Sequence, residues 1–200
     1  MRRILGYFLG FLLIVVGFGC SPKPVITVEN ASSLRLEKII GAGKVNDIAW
    51  SPDGTVIAVI QDFDISFYDA VSLQLIGNAG VGGTEAVFSP DGNTISIIGE
   101  SEVIIWDLTK KETTWAFPFE DVFAKQLAYN NKGSRLAFWG IYIYDAVAIH
   151  VLEVWDVNTG EQVYFEEETG ADLQVEFSPN DTLLAVRANG RLKFIALETG

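Results

Sequence analysis

The chain of 200 residues holds a single cysteine and a single histidine, Cys20 and His150. One thiol excludes an internal disulfide. With one histidine, and a cysteine that belongs to the leader, no structural zinc set, no Cys-His pair and no Ser-His-Asp arrangement is expected. His150 follows Ile149 in an alternating apolar stretch and reads as an ordinary strand residue. Basic residues are scarce as well: 14 Lys and Arg stand against 26 Asp and Glu, a net charge of −12. Phosphate backbones are held by clustered Lys and Arg, so nucleic acid is not an expected partner. The Gly-rich stretch from Gly77 to Gly83 lacks the Gly-Lys-Ser/Thr ending of a phosphate loop. No cofactor is expected and no metal site. Apolar residues are not scarce; at 49% they suffice for a packed core, which excludes disorder for the body of the chain.

The N-terminus has its own grammar. Met1-Arg2-Arg3 is a short cationic start, Ile4 to Gly19 is apolar or Gly throughout, and Cys20 follows at once. This is the pattern of a secretory leader. As a helix, Ile4 to Gly19 reaches about 24 Å, short of the roughly 30 Å hydrocarbon core, so a permanent span is the weaker reading. Cys20, after Gly19 and before Ser21, resembles the lipobox of bacterial lipoproteins, which implies lipid attachment at its thiol. The match is partial, because Gly17 and Phe18 stand where that family prefers Leu and a small residue. The other reading is an uncleaved signal-anchor. Both predict a bacterial cell-envelope protein whose body lies outside the cytoplasm, attached to a membrane through a lipid or the anchor. Residues 21–33 are polar, with Pro22 and Pro24, and read as a linker.

Beyond the linker, one paragraph of sequence is written four times. Its openers are Ser51-Pro52-Asp53-Gly54, Ser89-Pro90-Asp91-Gly92, Asn130-Asn131-Lys132-Gly133 and Ser178-Pro179-Asn180-Asp181. Its closers are Tyr68-Asp69, Trp106-Asp107, Trp155-Asp156 and Ile195-Ala196. The openers are tight-turn sequences, with Pro fixing φ and a Gly or Asp tolerating positive φ at the end. Alternating strands precede each one, as in Ile48 and Trp50 or Val175 and Phe177. More continuously apolar strands follow: Thr55 to Ile60, Asn93 to Ile98, Ser134 to Trp139 and Thr182 to Arg187. A third strand ends at each closer, whose Asp is placed to accept the backbone donors of the next turn. A variable fourth strand precedes the next repeat.

The period, the Ser-Pro-Asp-Gly turns and the Trp-Asp closers resemble WD40 repeats, over about Leu34 to Gly200. The resemblance implies an all-β fold, a β-propeller of four-stranded antiparallel blades over 34–200 preceded by an N-terminal hydrophobic leader helix at 1–20. The repeats fall at about 34–69, 72–107, 112–156 and 162–196. The family's Gly-His dipeptide is absent from every repeat, so blades here depend on packing. By the family pattern, Leu34 to Ile40 is placed to supply the outer strand of the last blade. Four blades closing the ring, or four belonging to a longer ring, both remain open.

Candidate binding residues come from one repeat position. The residue four before each opener is Asp47, Glu85, Gln126 or Gln174, with Asn46 beside the first. In a WD40-like blade this column of oxygen acceptors lies at a channel mouth on the top face; solvated strand ends show the same pattern. Glu120-Asp121 and Glu166-Glu167-Glu168 fall in loops on that face and predict an acidic surface suited to a cationic protein or peptide partner. The third repeat carries an insertion, Ile141 to Ala148, whose Tyr142 and Tyr144 are candidate interface anchors or a cover for the adjacent blade. Trp50, Trp106, Trp139 and Trp155 read as core, and Trp115 as the one tryptophan able to face solvent. The leading expectation is a non-catalytic protein- or peptide-binding scaffold tethered to the membrane. The alternatives are a structural subunit of an envelope complex, or a propeller hydrolase using the channel carboxylates Asp47 and Glu85.

Overall fold

The computed structural model describes residues 27–28, 31, 34–39, 44–119, 122–169 and 173–197. The chain divides into two units, Met1–Ile39 and Ile40–Gly200, and every strand belongs to the second. Among the described residues fifteen strands form four separate antiparallel sheets, each built from consecutive strands. The first is β1 (Asp47–Trp50), β2 (Val56–Ile60), β3 (Ile65–Asp69) and β4 (Leu75–Asn78). The second is β5 (Glu85–Phe88), β6 (Thr94–Ile98), β7 (Glu102–Asp107) and β8 (Glu112–Pro118). β9 (Phe123–Tyr129), β10 (Arg135–Tyr144), β11 (Val147–Asp156) and β12 (Gln162–Thr169) make the third. The fourth has three strands: β13 (Gln174–Phe177), β14 (Leu183–Ala188) and β15 (Arg191–Ala196).

Local chemistry explains the recurrence. In the first opener the Gly54 amide donates to the Ser51 carbonyl at 2.8 Å, and Gly54 takes a φ of +67°. The Asp53 carboxylate accepts from the Ser51 hydroxyl at 2.6 Å and the Thr55 amide at 3.0 Å, which fixes the turn that joins β1 to β2. Ser89-Asp91 and Ser178-Asn180 repeat the hydroxyl contact. At the closers, Asp69, Asp107 and Asp156 each accept two backbone amides, two and three residues ahead, at 2.7 to 3.1 Å. Those bonds hold the Asp69 and Asp107 carboxyls below their usual range.

The core is three layers, one between each sheet and the next. Ala58, Ile60, Ile65 and Phe67 of the first sheet meet Ala86, Phe88, Ile95 and Ile97 of the second. The other face of the second sheet, with Ile98, Val103, Ile105 and Phe117, meets Leu127, Leu136 and Phe138 of the third. Ala137, Leu152 and Val154 then meet Val175, Phe177, Leu184 and Val186 of the fourth. The cross-strand register assigns each residue its face, and the buried sets follow the period-2 alternation.

These observations correct the WD40 resemblance and the fold drawn from it. The chain is all-β, but among the described residues its four sheets do not close into a β-propeller, and the fourth has three strands. Leu34 to Ile40 were expected to supply an outer strand there; the described part, 34–39, forms none, and residue 40 lies outside the described residues. Among the described residues the main contacts between sheets run from each to the next, β1 with β5, β5 and β6 with β9, β9 and β10 with β13. Among the described residues nothing packs on the outer faces of the first and fourth sheets, where Ile48, Trp50, Leu192 and Phe194 are exposed. A second correction follows. Trp50, expected in the core, is 56% exposed, because it lies on the face of the first sheet that has no neighbour. The leader helix, the signal and lipoprotein reading, and lipid attachment at Cys20 lie outside the described residues. Among the described residues no helix is long and apolar enough to cross a membrane.

Candidate interaction surface

The acceptor column singled out in the sequence lies along the open edge of the stack, on the first strand of each sheet. Asp47 Oδ2 accepts from the Ala86 amide at 3.1 Å, and Glu85 Oε1 accepts from the Leu127 amide at 3.0 Å. Gln126 Oε1 faces the Val175 amide at 3.5 Å and accepts from Trp139 Nε1 at 3.0 Å. The pattern is regular: the acceptor at one repeat position reaches the amide one residue further along in the next sheet. Each of these amides lies off its own sheet's ladder. The Ser89 amide, for example, bonds the Thr94 carbonyl, so alternate residues Val87 and Glu85 face β6 and Ala86 faces away. The three side chains are therefore staples between sheets. Gln174 is the fourth member of the column and is exposed.

Asn46 supports the same seam. Its Nδ2 donates to Asp62 Oδ1 at 2.7 Å and to the Gly83 carbonyl at 2.8 Å, tying the start of the first sheet to the loop before the second. Burial pushes the Glu85 carboxyl up to about 7; the Leu127 amide pulls the other way and the nearby Asp47 carboxylate adds to the rise. On the far side of the stack the opener turns touch as well. Asp181 is buried and takes a φ of +59°, and its carboxylate accepts from the Asn131 and Lys132 amides at 2.7 and 3.0 Å. A depression of about 320 Å³ lies near these turns, lined by Trp115, Tyr129 and Asn158 among others. Tyr129 there bonds Ser96 at 2.7 Å across the second seam.

The insertion in the third repeat is an extension of the β10–β11 hairpin, paired from Ile141 with His150 to Tyr144 with Val147. Asp145 and Ala146 close it with φ of +49° and +63°, the signature of a two-residue type I′ turn. Tyr144, Ile143 and Val147 stand exposed at its tip, whereas the Tyr142 hydroxyl donates to Glu167 Oε1 at 3.0 Å. The acidic run placed in a loop by the sequence is a strand: Glu166 and Glu167 belong to β12 and pair with Leu152 and Val151. Glu166 is ion-paired with Lys193 of the fourth sheet at 3.1 Å. Glu120 and Asp121 lie outside the described residues. His150 is buried and stacks on Trp139 with ring centroids 6.1 Å apart, and its Nδ1 finds no partner among the described residues.

The expected scaffold that binds a peptide at a channel mouth is overturned with the ring. No closed ring means no channel, and three of its four proposed lining residues are spent holding sheets together. Among the described residues the geometry leaves two uncovered sheet faces at the ends of the stack, as the sequence implies for repeats that do not close. On the first sheet these are Ile48 and Trp50, 59% and 56% exposed, with Ile57, Val59, Tyr68 and Leu75 on the same face by register. On the fourth they are Leu183, Leu192 and Phe194, the last two 60% and 64% exposed, alongside Glu176 and Arg187. A signal for the second face is in the sequence: Arg187 and Glu176 occupy positions filled by Ile60 and Ala49 in the first sheet. Among the described residues no group of three or more His, Cys, Asp or Glu is placed to hold a metal ion.

No family model matches this chain, and no curated protein matches it. Among solved structures, 652 chains match it. One of them is Kuenenia stuttgartiensis Hydrazine Synthase, 19% identical, with a TM-score of 0.58 over 70% of this chain and 42% of that one. The chain thus spans less than half the length of that protein, and at this identity the likeness is one of fold.

Proposed function

We propose that this chain is a non-catalytic structural subunit of a bacterial envelope complex, built into its assembly through exposed sheet faces and the raised β10–β11 hairpin. The observation that carries this reading is the first sheet's outer face. Ile48, Trp50, Ile57, Val59, Tyr68 and Leu75 form a contiguous patch that is mostly apolar, in a chain otherwise rich in surface acid. A patch of this kind on a soluble domain is a contact surface or an aggregation hazard. The leader-like segment at the N-terminus supports placement outside the cytoplasm and attachment at a membrane. Tyr144 at the hairpin tip supplies an aromatic anchor standing clear of the sheets, and Tyr142 stiffens the arm beneath it through Glu167. No catalytic role is given to Asp47 or Glu85, since both carboxylates are engaged by backbone amides of the next sheet.

The test is native electrophoresis of detergent-solubilised envelopes from cells making the full chain, with mass spectrometry of the excised band. The expected result is a species containing a second envelope protein, from which Trp50→Asp or removal of the 143–147 tip releases the chain. Migration of the wild-type chain without any other protein, in every detergent tried, overturns the reading.

A further inference from the structure

Three seams in this molecule are made by one recipe, and each end sheet displays half of it. On the face turned toward its successor, a sheet offers a side-chain acceptor from its first strand. On the face turned toward its predecessor, it offers the amide one residue further along, together with an apolar row. The first sheet has the second half unused. The Ser51 amide bonds the Val56 carbonyl, so by the observed register Ala49 and Asp47 face β2 and the Ile48 amide points off the open side of β1. Ile48, Trp50, Ile57 and Val59 hold the positions that Val175, Phe177, Leu184 and Val186 hold in the fourth sheet, where all four are buried. The fourth sheet has the first half unused. Gln174 stands at the position of Asp47, Glu85 and Gln126, while Leu192 and Phe194 stand where Ile65 and Phe67 stand in the first.

We infer that the first sheet of one copy of this chain docks on the fourth sheet of a second copy, head to tail, with Gln174 Oε1 accepting the Ile48 amide hydrogen. A second copy is the occupant because every element of the joint is already folded on this chain, in the positions used three times inside it. The joint is heterologous, since the two faces differ. It also differs from the internal seams in one respect. Arg187 and Glu176 lie on the fourth sheet's outer face, where the corresponding Ile60 and Ala49 are apolar or small. Two charges on an otherwise apolar face suit a contact between separately folded copies, which must stay soluble before they meet.

This inference rests on reading the chain as a subunit of a larger assembly and names the joint. Its test uses the purified full chain alone in mild detergent, followed by sedimentation across a range of concentrations. The wild type associates as concentration rises. Trp50→Asp and Phe194→Asp each weaken association by about 30-fold or more, the loss expected for a buried aromatic anchor. A second measurement does not depend on those variants folding. Chains carrying Gln174→Cys are mixed with chains carrying Ile48→Cys, both with Cys20→Ser, and oxidised. A mixed disulfide that dominates over either like-with-like product supports the joint. Like-with-like products in equal or greater yield overturn it, as does a wild type that sediments as one chain at every concentration. If the purified chain stays single while its envelope band still holds another protein and depends on Trp50, the joint falls and the proposed function stands. Head-to-tail association of the pure chain, with no second protein in the envelope band, leaves the joint and removes that function.

Discussion

Glu85→Gln isolates the chemistry of the second seam. The wild-type carboxylate is half-buried between the second and third sheets, 3.0 Å from the Leu127 amide, and burial raises it from an ordinary 4.5 to about 7. The folded chain therefore holds a proton that the unfolded chain has released over that interval. Below about pH 4.5 both states are protonated and the site costs nothing. As pH rises toward 7 the folded state loses stability, because a charge must be kept where water is thin. A gap of about 2.5 units corresponds to at most about 3.4 kcal/mol, and the partial exposure of the side chain reduces this to about 1–2 kcal/mol. Glutamine retains the oxygen for the Leu127 amide and removes both the desolvation cost and the repulsion from Asp47. It is also the residue the third sheet uses at the equivalent place, Gln126. The variant should melt about 2–8 °C higher than wild type at pH 8.5, at roughly 2–4 °C per kcal/mol for a chain of this size. The difference should vanish near pH 4.5. Calorimetry of both proteins from pH 4.5 to 8.5 is the assay. A gain that does not change with pH, or a loss at pH 8.5, refutes the account of this seam.

Gln126→Met removes the partner of Trp139 Nε1 and the staple to Val175, and should cost about 1–2 kcal/mol in urea unfolding. Gln174→Met, one sheet further on, should stay within about 0.5 kcal/mol for the isolated copy, so equal effects at the two positions would contradict the staple assignment. His150→Phe keeps the ring against Trp139 and removes a buried nitrogen without a partner among the described residues; a gain of about 1 kcal/mol is expected from the same urea curves. Gly83→Ala would set a Cβ 2.4 Å from the Ile98 carbonyl oxygen and 2.6 Å from Ile97 Cγ2, between the first and second sheets. It should lower stability by about 2–3 kcal/mol, and an unchanged melting temperature would show that this loop is looser than described.

Much of the local structure was legible because it is written in short-range chemistry. Ser-Pro-Asp-Gly specifies a turn whatever surrounds it, and the alternation of Ile48 and Trp50 with Asp47 and Ala49 specifies a strand with two unlike faces. The all-β class and the grouping into four units follow from those signals alone. What was not legible is which face meets which neighbour. The acceptor column was visible, but a periodic row of Asp, Glu and Gln is the same string whether it lines a mouth or crosses a seam; only the position of the next sheet's amide decides. Trp50 was assigned to the core for the same reason, since alternation does not say that a face lacks a partner. The Glu166 run reads as a solvated loop. It became a strand because the β10–β11 hairpin is long enough to template β12 alongside it, with Tyr142 and Lys193 supplying bonds to the acids. Strand pairing from a distant segment is non-local, and the family pattern's expectation for Leu34 to Ile40 finds no strand among the described residues there.

Contacts that run mainly from each sheet to the next give the domain an energetic grammar of nearest neighbours. A disturbance in the first sheet reaches the fourth chiefly through the two between them. Fraying is then a matter of position along a line. The terminal sheets, each clamped on one side, should exchange their amide hydrogens with solvent sooner than the middle pair, whose two flanks are both held. The middle clasp is also a carboxyl that burial pushes up to about 7, so a rise of pH toward neutrality loosens the middle of the stack while the amide-clasped seam beyond does not respond.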